Sequence, residues 1–320
     1  MARPKFRLGF REPDIDTNRP FTDGTVTIEG FDLECSDFRG PEHIDAWDAS
    51  FGGLMTTKGK DDHPYVSIPA FPNRKFRLAY IFVNADAGIE APKDLEGKRV
   101  AIFAWDNTAA IWSRGALLHH YGVDFSSIEW FLPGTDARSW SPDISVEPLA
   151  LGPGPKDAAL DELLLRGDVD AVLGPNVLPS VSRKDPRIRR LFPDYRTEEQ
   201  NYFKATGIFP ISHVVSLNKA FVEEHPHAPV ALLEAYRRAR DVAFDRIYGS
   251  DPEIVTISWA ADLMDEQRAV MGENYWAYNI EDNARTLGAM MGFAHQFGVT
   301  PSKLDVESFF HPEAFALAGL

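Results

Sequence analysis

Short apolar runs of strand length fill the first third of the chain, at 5–10, 25–33, 65–68 and 76–84, with turn formers such as Asp23-Gly24 and Glu29-Gly30 between them. Helical spacing is scarce there. From Lys98 the pattern changes to a strand at 99–105, a helix over about 108–121 and a strand at 128–132, a β-α-β unit of parallel type. A second unit follows, with Ala159, Leu160, Leu163 and Leu164 at helical spacing over 157–166 and an apolar strand at 170–173 closed by Gly174-Pro175. A strand is predicted at 208–217, and the chain beyond it is nearly all helical. Leu232, Tyr236, Ala239, Ala243 and Ile247 step along one helix face, and Leu287, Met290, Ala294 and Phe297 do the same near the C-terminus.

Strands first, a compact β-α-β insert in the middle and helices last predict an α/β protein of two lobes. The chain crosses between them near 79–87 and again near 207–216, so 1–86 and 212–320 form the first lobe and 87–211 the second. Such a fold places its ligand in the cleft between lobes, where strand C-terminal ends and helix N-termini converge.

The 320 residues, 44% hydrophobic and 25% charged, suit a soluble globular chain. With 33 Lys+Arg against 48 Asp+Glu the net charge is -15, which argues against a nucleic acid or an anionic membrane surface as partner. No run approaches the roughly 18 apolar residues of a membrane span. The start, MARPKFRLGF, is charged and lacks the apolar stretch of a signal peptide, so a cytoplasmic location is expected. The single cysteine, Cys35, allows no internal disulfide and no Cys-rich zinc site, and reads as a buried small residue.

Candidate chemistry concentrates in four places. In WDNTAAIWSRG, Thr108 and Ala109 open a helix whose free N–H groups and dipole suit a carboxylate, although an ordinary helix cap reads the same way. In IPAFPNRKFR, Arg74, Lys75 and Arg77 stand just before the first crossing and suit an anionic ligand or, equally, a solvated basic turn. His213 lies on an apolar strand at the second crossing, where a satisfied core histidine is the plainer alternative. Asp45, Asp48 and Ser50 in IDAWDAS put carboxylates at the cleft edge or serve turns and caps. Phosphate-loop, dinucleotide, nucleophile-elbow and H-E-x-x-H motifs are all absent, and His119, His120, His225 and His227 read as surface residues.

The order Arg19-Pro20 with Asp23-Gly24, then IPAFPNRKFR (68–77), GIEAPKDLEGKRV (88–100), TAAIWSRG (108–115), GIFPISH (207–213) and YWAY (275–278) resembles the 4,5-dihydroxyphthalate decarboxylase family over nearly the whole chain. That family is similar to solute-binding proteins of the type II periplasmic-binding fold, in accord with two lobes and a cleft between them. Three departures stand out: Asp48 where the family has glutamate, Leu78 where it has histidine, and Ser212 where it has methionine. They bear on the substrate more than on the reaction type.

The resemblance implies cofactor-independent decarboxylation of a hydroxylated aromatic carboxylate or dicarboxylate. It implies His213 and Asp48 for proton transfer, and Arg19, Ser50, Arg74, Arg77, Thr108, Ala109, Trp112, Arg114 and Tyr278 for substrate binding. Trp112 reads equally as core packing. A divalent metal on His213 and Asp48 is the less favoured variant, and self-association into a homo-oligomer is compatible with the sequence. The competing reading is a non-catalytic solute-binding protein for an aromatic carboxylate, using the same cleft.

Overall fold

In the computed structural model, which describes residues 3–38, 43–58, 63–134, 144–248 and 256–317, the strands form two separate sheets. The strands are β1 (Lys5–Phe10), β2 (Asp32–Asp37), β3 (Ala46–Ser50), β4 (Tyr65–Ser67), β5 (Ile81–Asn84), β6 (Arg99–Ile102), β7 (Glu129–Pro133), β8 (Val146–Leu149), β9 (Ala171–Leu173), β10 (Ile188–Arg190) and β11 (His213–Asn218). One sheet has the order β2-β1-β3-β11-β4 and the other β10-β5-β9-β6-β7-β8. In the first, β1 runs parallel to β2 and β3, and β11 returns antiparallel between β3 and β4. In the second, β6 to β9 are mutually parallel, and β5 and β10 close one edge.

The helices are α1 (Arg19–Thr22), α2 (Phe51–Lys58), α3 (Thr108–His119), α4 (Lys156–Arg166), α5 (Pro179–Ser182), α6 (Tyr195–Thr206), α7 (Lys219–Glu224), α8 (Ala228–Tyr248), α9 (Ala260–Met271), α10 (Ala284–Gln296) and α11 (Pro312–Leu317). Strand β9 (AVL) is buried throughout and β6 (RVAI) after its first residue, as expected of parallel strands covered on both faces. Helix α3 is apolar almost all round and buried from Thr108 to Leu117. It is pinned by two indoles: Trp105 donates to the Phe297 carbonyl at 2.8 Å, and Trp112 to the Ile211 carbonyl at 2.8 Å.

Several elements depart from the sequence reading. The run at 25–33 is a turn region with Gly24 and Gly30 at positive φ, and the strand follows it at Asp32–Asp37. That strand lies at the sheet edge, so its polar sequence DLECSD does not announce it. The run at 76–84 divides into a 3₁₀ turn, Leu78–Tyr80, and β5. The strand expected at 208–217 starts only at His213, preceded by an isolated bridge between Arg74 and Ile211, because Pro210 has no N–H to give to a ladder. Helix α2, FGGLMTTK, is hidden in sequence by its paired glycines. Cys35 is half-buried on β2, and burial pushes its thiol up to about 11. No helix among the described residues is long and apolar enough to cross a membrane.

Helix α6 is tied to the 3₁₀ turn that precedes β5. Its Glu199 accepts the Ala79 backbone N–H at 3.0 Å, and burial pushes its carboxyl up to about 7. An acid that holds its proton more tightly when folded loses stability as pH rises from its unfolded value to its folded one, here between about 4.5 and about 7. Glu199→Gln is expected to leave the melting temperature near pH 5 almost unchanged and to raise stability near pH 8 by up to about 3 kcal/mol. Thermal melts of the two proteins at both pH values check this; parallel melting curves would contradict it.

Candidate functional site

The pairing of β3 with β11 sets His213 opposite Ser50 and Val215 opposite Asp48. Residues two apart share a face of a sheet, so Asp48, Ser50 and His213 stand together. They meet where β3 ends and β11 begins. Asp48 is fully buried; its Oδ1 accepts the Arg11 N–H at 2.7 Å, and its Oδ2 lies 3.4 Å from His213 Nδ1. From the turn after β1, Glu12 brings Oε2 to 3.8 Å from the same imidazole nitrogen. The Asn73 amide holds that Glu12 oxygen. The Asn73 carbonyl accepts the backbone N–H groups of Ser212, at 2.8 Å, and His213, at 3.1 Å.

An imidazole whose Nδ1 faces carboxylates carries its proton there and leaves Nε2 for exchange with a ligand. One ligand atom from each of Glu12, Asp48 and His213 lies within 4.8 Å of the others, so among the described residues these three form a group that could hold a divalent cation. Behind Asp48 the Tyr236 hydroxyl is buried. Burial raises it well above the ordinary phenol range, and the Asp48 charge adds to the effect.

Arg77 brings a buried guanidinium next to this group. Its Nη2 donates to Ser212 Oγ at 2.7 Å, and its Nη1 donates to the Pro175 carbonyl beyond β9 at 3.2 Å. Burial lowers its pKa to about 10, which leaves it charged at neutral pH. Ser50 faces Thr108 at the start of α3, with 3.0 Å between hydroxyl oxygens, and the Gly52 N–H donates to Thr108 Oγ1 at 2.8 Å. The first sheet and the start of α3 therefore meet beside Ser50, the residue paired with His213. The backbones touch there because Gly52 lacks a side chain: a Cβ would stand 2.3 Å from the Asp106 carbonyl oxygen and 2.9 Å from the Thr108 nitrogen.

The structure thus brings together His213, Asp48, Ser50, Thr108 and Arg77. The Ala109 N–H is occupied by the Asn107 side chain at 2.9 Å, as in an ordinary helix cap. The remaining expected binders lie elsewhere. Arg114 is fully buried between Trp105 and Phe297, with Nε on the Ala110 carbonyl at 3.0 Å, so it holds α3 rather than facing a ligand. Trp112 is buried in the same core. Arg74 turns to Asn283 and the Phe209 carbonyl, both at 2.7 Å. Tyr278 is buried against Tyr236, its hydroxyl raised to about 12 by burial, and Arg19 is exposed at the start of α1. Among the residues that sequence reasoning passed over, Glu12 and Asn73 matter most. The one available signal for Glu12 was its place just beyond the C-terminal end of β1, where ligands collect in such folds.

The family model described as NMT1/THI5 like matches residues 52–137. The 4,5-dihydroxyphthalate decarboxylase of Comamonas testosteroni is 30% identical over 321 residues, covering 96% of this chain and 97% of that protein. Among solved structures, the periplasmic aliphatic sulphonate binding protein SsuA from Escherichia coli superposes with a TM-score of 0.55 at 15% identity, over 98% of this chain and 100% of that one. The desulfurization enzyme DSZB superposes with a TM-score of 0.56 at 13% identity, over 99% of both chains. These likenesses give the fold, the two-lobed architecture of periplasmic solute-binding proteins.

Proposed function

Given that the chain belongs to the 4,5-dihydroxyphthalate decarboxylase family, we propose that it releases carbon dioxide from a hydroxylated aromatic dicarboxylate such as 4,5-dihydroxyphthalate, without a cofactor. The observation that supports this most directly is the His213–Asp48 pair, 3.4 Å apart, with the Arg77 guanidinium one residue away on Ser212. A hydroxyl para to the departing carboxylate releases electron density into the ring. The ring carbon bearing that carboxylate then takes a proton, the bond to the carboxylate breaks, and its electron pair restores the aromatic ring. Carbon dioxide and 3,4-dihydroxybenzoate are the products.

In this reading His213 Nε2 delivers the proton, while Asp48 orients the imidazole. Arg77 holds the carboxylate that stays, a task suited to a buried guanidinium with neutral partners, whose Nε has no hydrogen bond. Ser50 and Thr108 close the site from the side of α3. The purified protein is expected to release carbon dioxide from 4,5-dihydroxyphthalate but not from phthalate, which lacks the para hydroxyl, and chelator is expected to have no effect. Tight binding of 4,5-dihydroxyphthalate with no release would instead assign the cleft to solute binding. Release abolished by chelator would place the proton chemistry on a cation held by Glu12, Asp48 and His213.

A further inference from the structure

Three cations gather in a chain of net charge -15 around a cavity of about 310 Å³ that shares no residue with the His213 cluster. Arg74 forms its floor, 7% exposed, with its guanidinium 4.5 Å from the centre of the Phe209 ring. Its two hydrogen-bond partners, Asn283 and the Phe209 carbonyl, are both neutral, and its Nε has none. Lys75 and Arg190 stand at the edge. Lys75 lies 5.5 Å from the Tyr80 ring, and Arg190 donates to the Ala79 carbonyl at 3.0 Å. Among the described residues none of the three cations has a carboxylate oxygen within 4 Å; Glu199 lines the same cavity and feels the charge of Arg190, but it bonds the Ala79 N–H and leaves Arg74 without a counter-charge. Trp276 meets Phe209 edge to face at 5.5 Å and supplies an aromatic wall.

A buried guanidinium without a counter-charge is costly, and an anion in the cavity relieves that cost. The aromatic side chains Phe76, Tyr80, Tyr195 and Trp276 in the lining suit a ligand with a ring, and the volume takes one substituted benzene ring. Successive residues of an extended chain point to opposite sides, so Asn73 faces Glu12 while Arg74 faces this cavity. We propose that the groove floored by Arg74 and Phe209 and edged by Lys75, Arg190 and Trp276 is a second binding site, separate from the His213 cleft, for a small aromatic carboxylate. The choice of probe and the release readout rest on the decarboxylase reading; the groove itself does not.

The test is calorimetric titration of the full chain with 3,4-dihydroxybenzoate, followed in parallel by tryptophan fluorescence. Wild type is expected to show two binding events. Lys75→Glu and Arg190→Glu are each expected to weaken one of them at least tenfold and to leave carbon dioxide release at low substrate unchanged. His213→Ala is expected to lose release and keep the groove event. Lys75→Gln, a milder change, is expected to show a smaller loss of the same event, which guards against a folding defect in the charge reversals. A single event in wild type, untouched by any of these changes, overturns the proposal. Charge reversals that abolish both the only binding event and turnover also overturn it, and would put the substrate itself in the groove. Groove binding without any carbon dioxide release leaves the second site standing and rejects the decarboxylase reading instead.

Discussion

Replacing His213 with alanine is expected to lower the rate of carbon dioxide release by about 10²–10⁴-fold, the span general acid catalysis commonly supplies, while substrate affinity changes little. The two effects separate because the binding groups, Arg77 and the Ser50–Thr108 pair, do not depend on the imidazole. A partial intermediate is expected for Asp48→Asn. It keeps a side chain of similar shape beneath His213 but replaces the carboxylate that orients the imidazole, so turnover falls while affinity is held. Steady-state rates alongside equilibrium binding check both variants. An unchanged rate in His213→Ala would remove the imidazole from the chemistry.

The second large effect comes from a residue with no side chain. Gly52→Ala places a methyl group 2.3 Å from a backbone oxygen at Asp106, an approach that no rotamer change relieves. The start of α2 must then move away from the start of α3, breaking the contacts of Gly52 and Ser50 with Thr108. Overpacking of this kind costs about 1–3 kcal/mol of stability, and a displacement of about 1 Å between catalytic and binding groups lowers turnover by roughly 10²-fold. Gly53→Ala is the control, since its Cβ would meet only Ser50 atoms at 3.6 and 3.7 Å. Thermal melts and kcat/KM for both variants decide the matter, and equal activity in the two would show that the contact beside the site is not needed.

Much of this arrangement was legible in the sequence, and the losses have physical reasons. The parallel unit around β6 and α3 announced itself because strands buried on both faces and a helix apolar all round have strong patterns. The edge strand β2 did not, since one side of it faces water and its sequence is polar. Asp48 and His213 each stood out as candidates, but their meeting depends on the register of β3 against β11, which joins residues 165 apart in the chain. Local spacing carries no trace of that register. Arg114 misled because arginine is rarely buried whole. Its neighbours Ile111, Trp112 and Leu117 were the signal that this face of α3 is interior, where the guanidinium rests on Trp105 and on backbone carbonyls. Arg74 and Arg77 looked equivalent in sequence. Their three-residue separation sends one to Asn283 and the other to Ser212.

The most direct test of the central claim is to incubate the purified protein with 4,5-dihydroxyphthalate in deuterated water and analyse gas and product together. The account predicts carbon dioxide equal to the substrate consumed, and 3,4-dihydroxybenzoate carrying deuterium at the ring carbon that bore the lost carboxylate. Substrate recovered intact from a saturated protein, with no gas released, would contradict it.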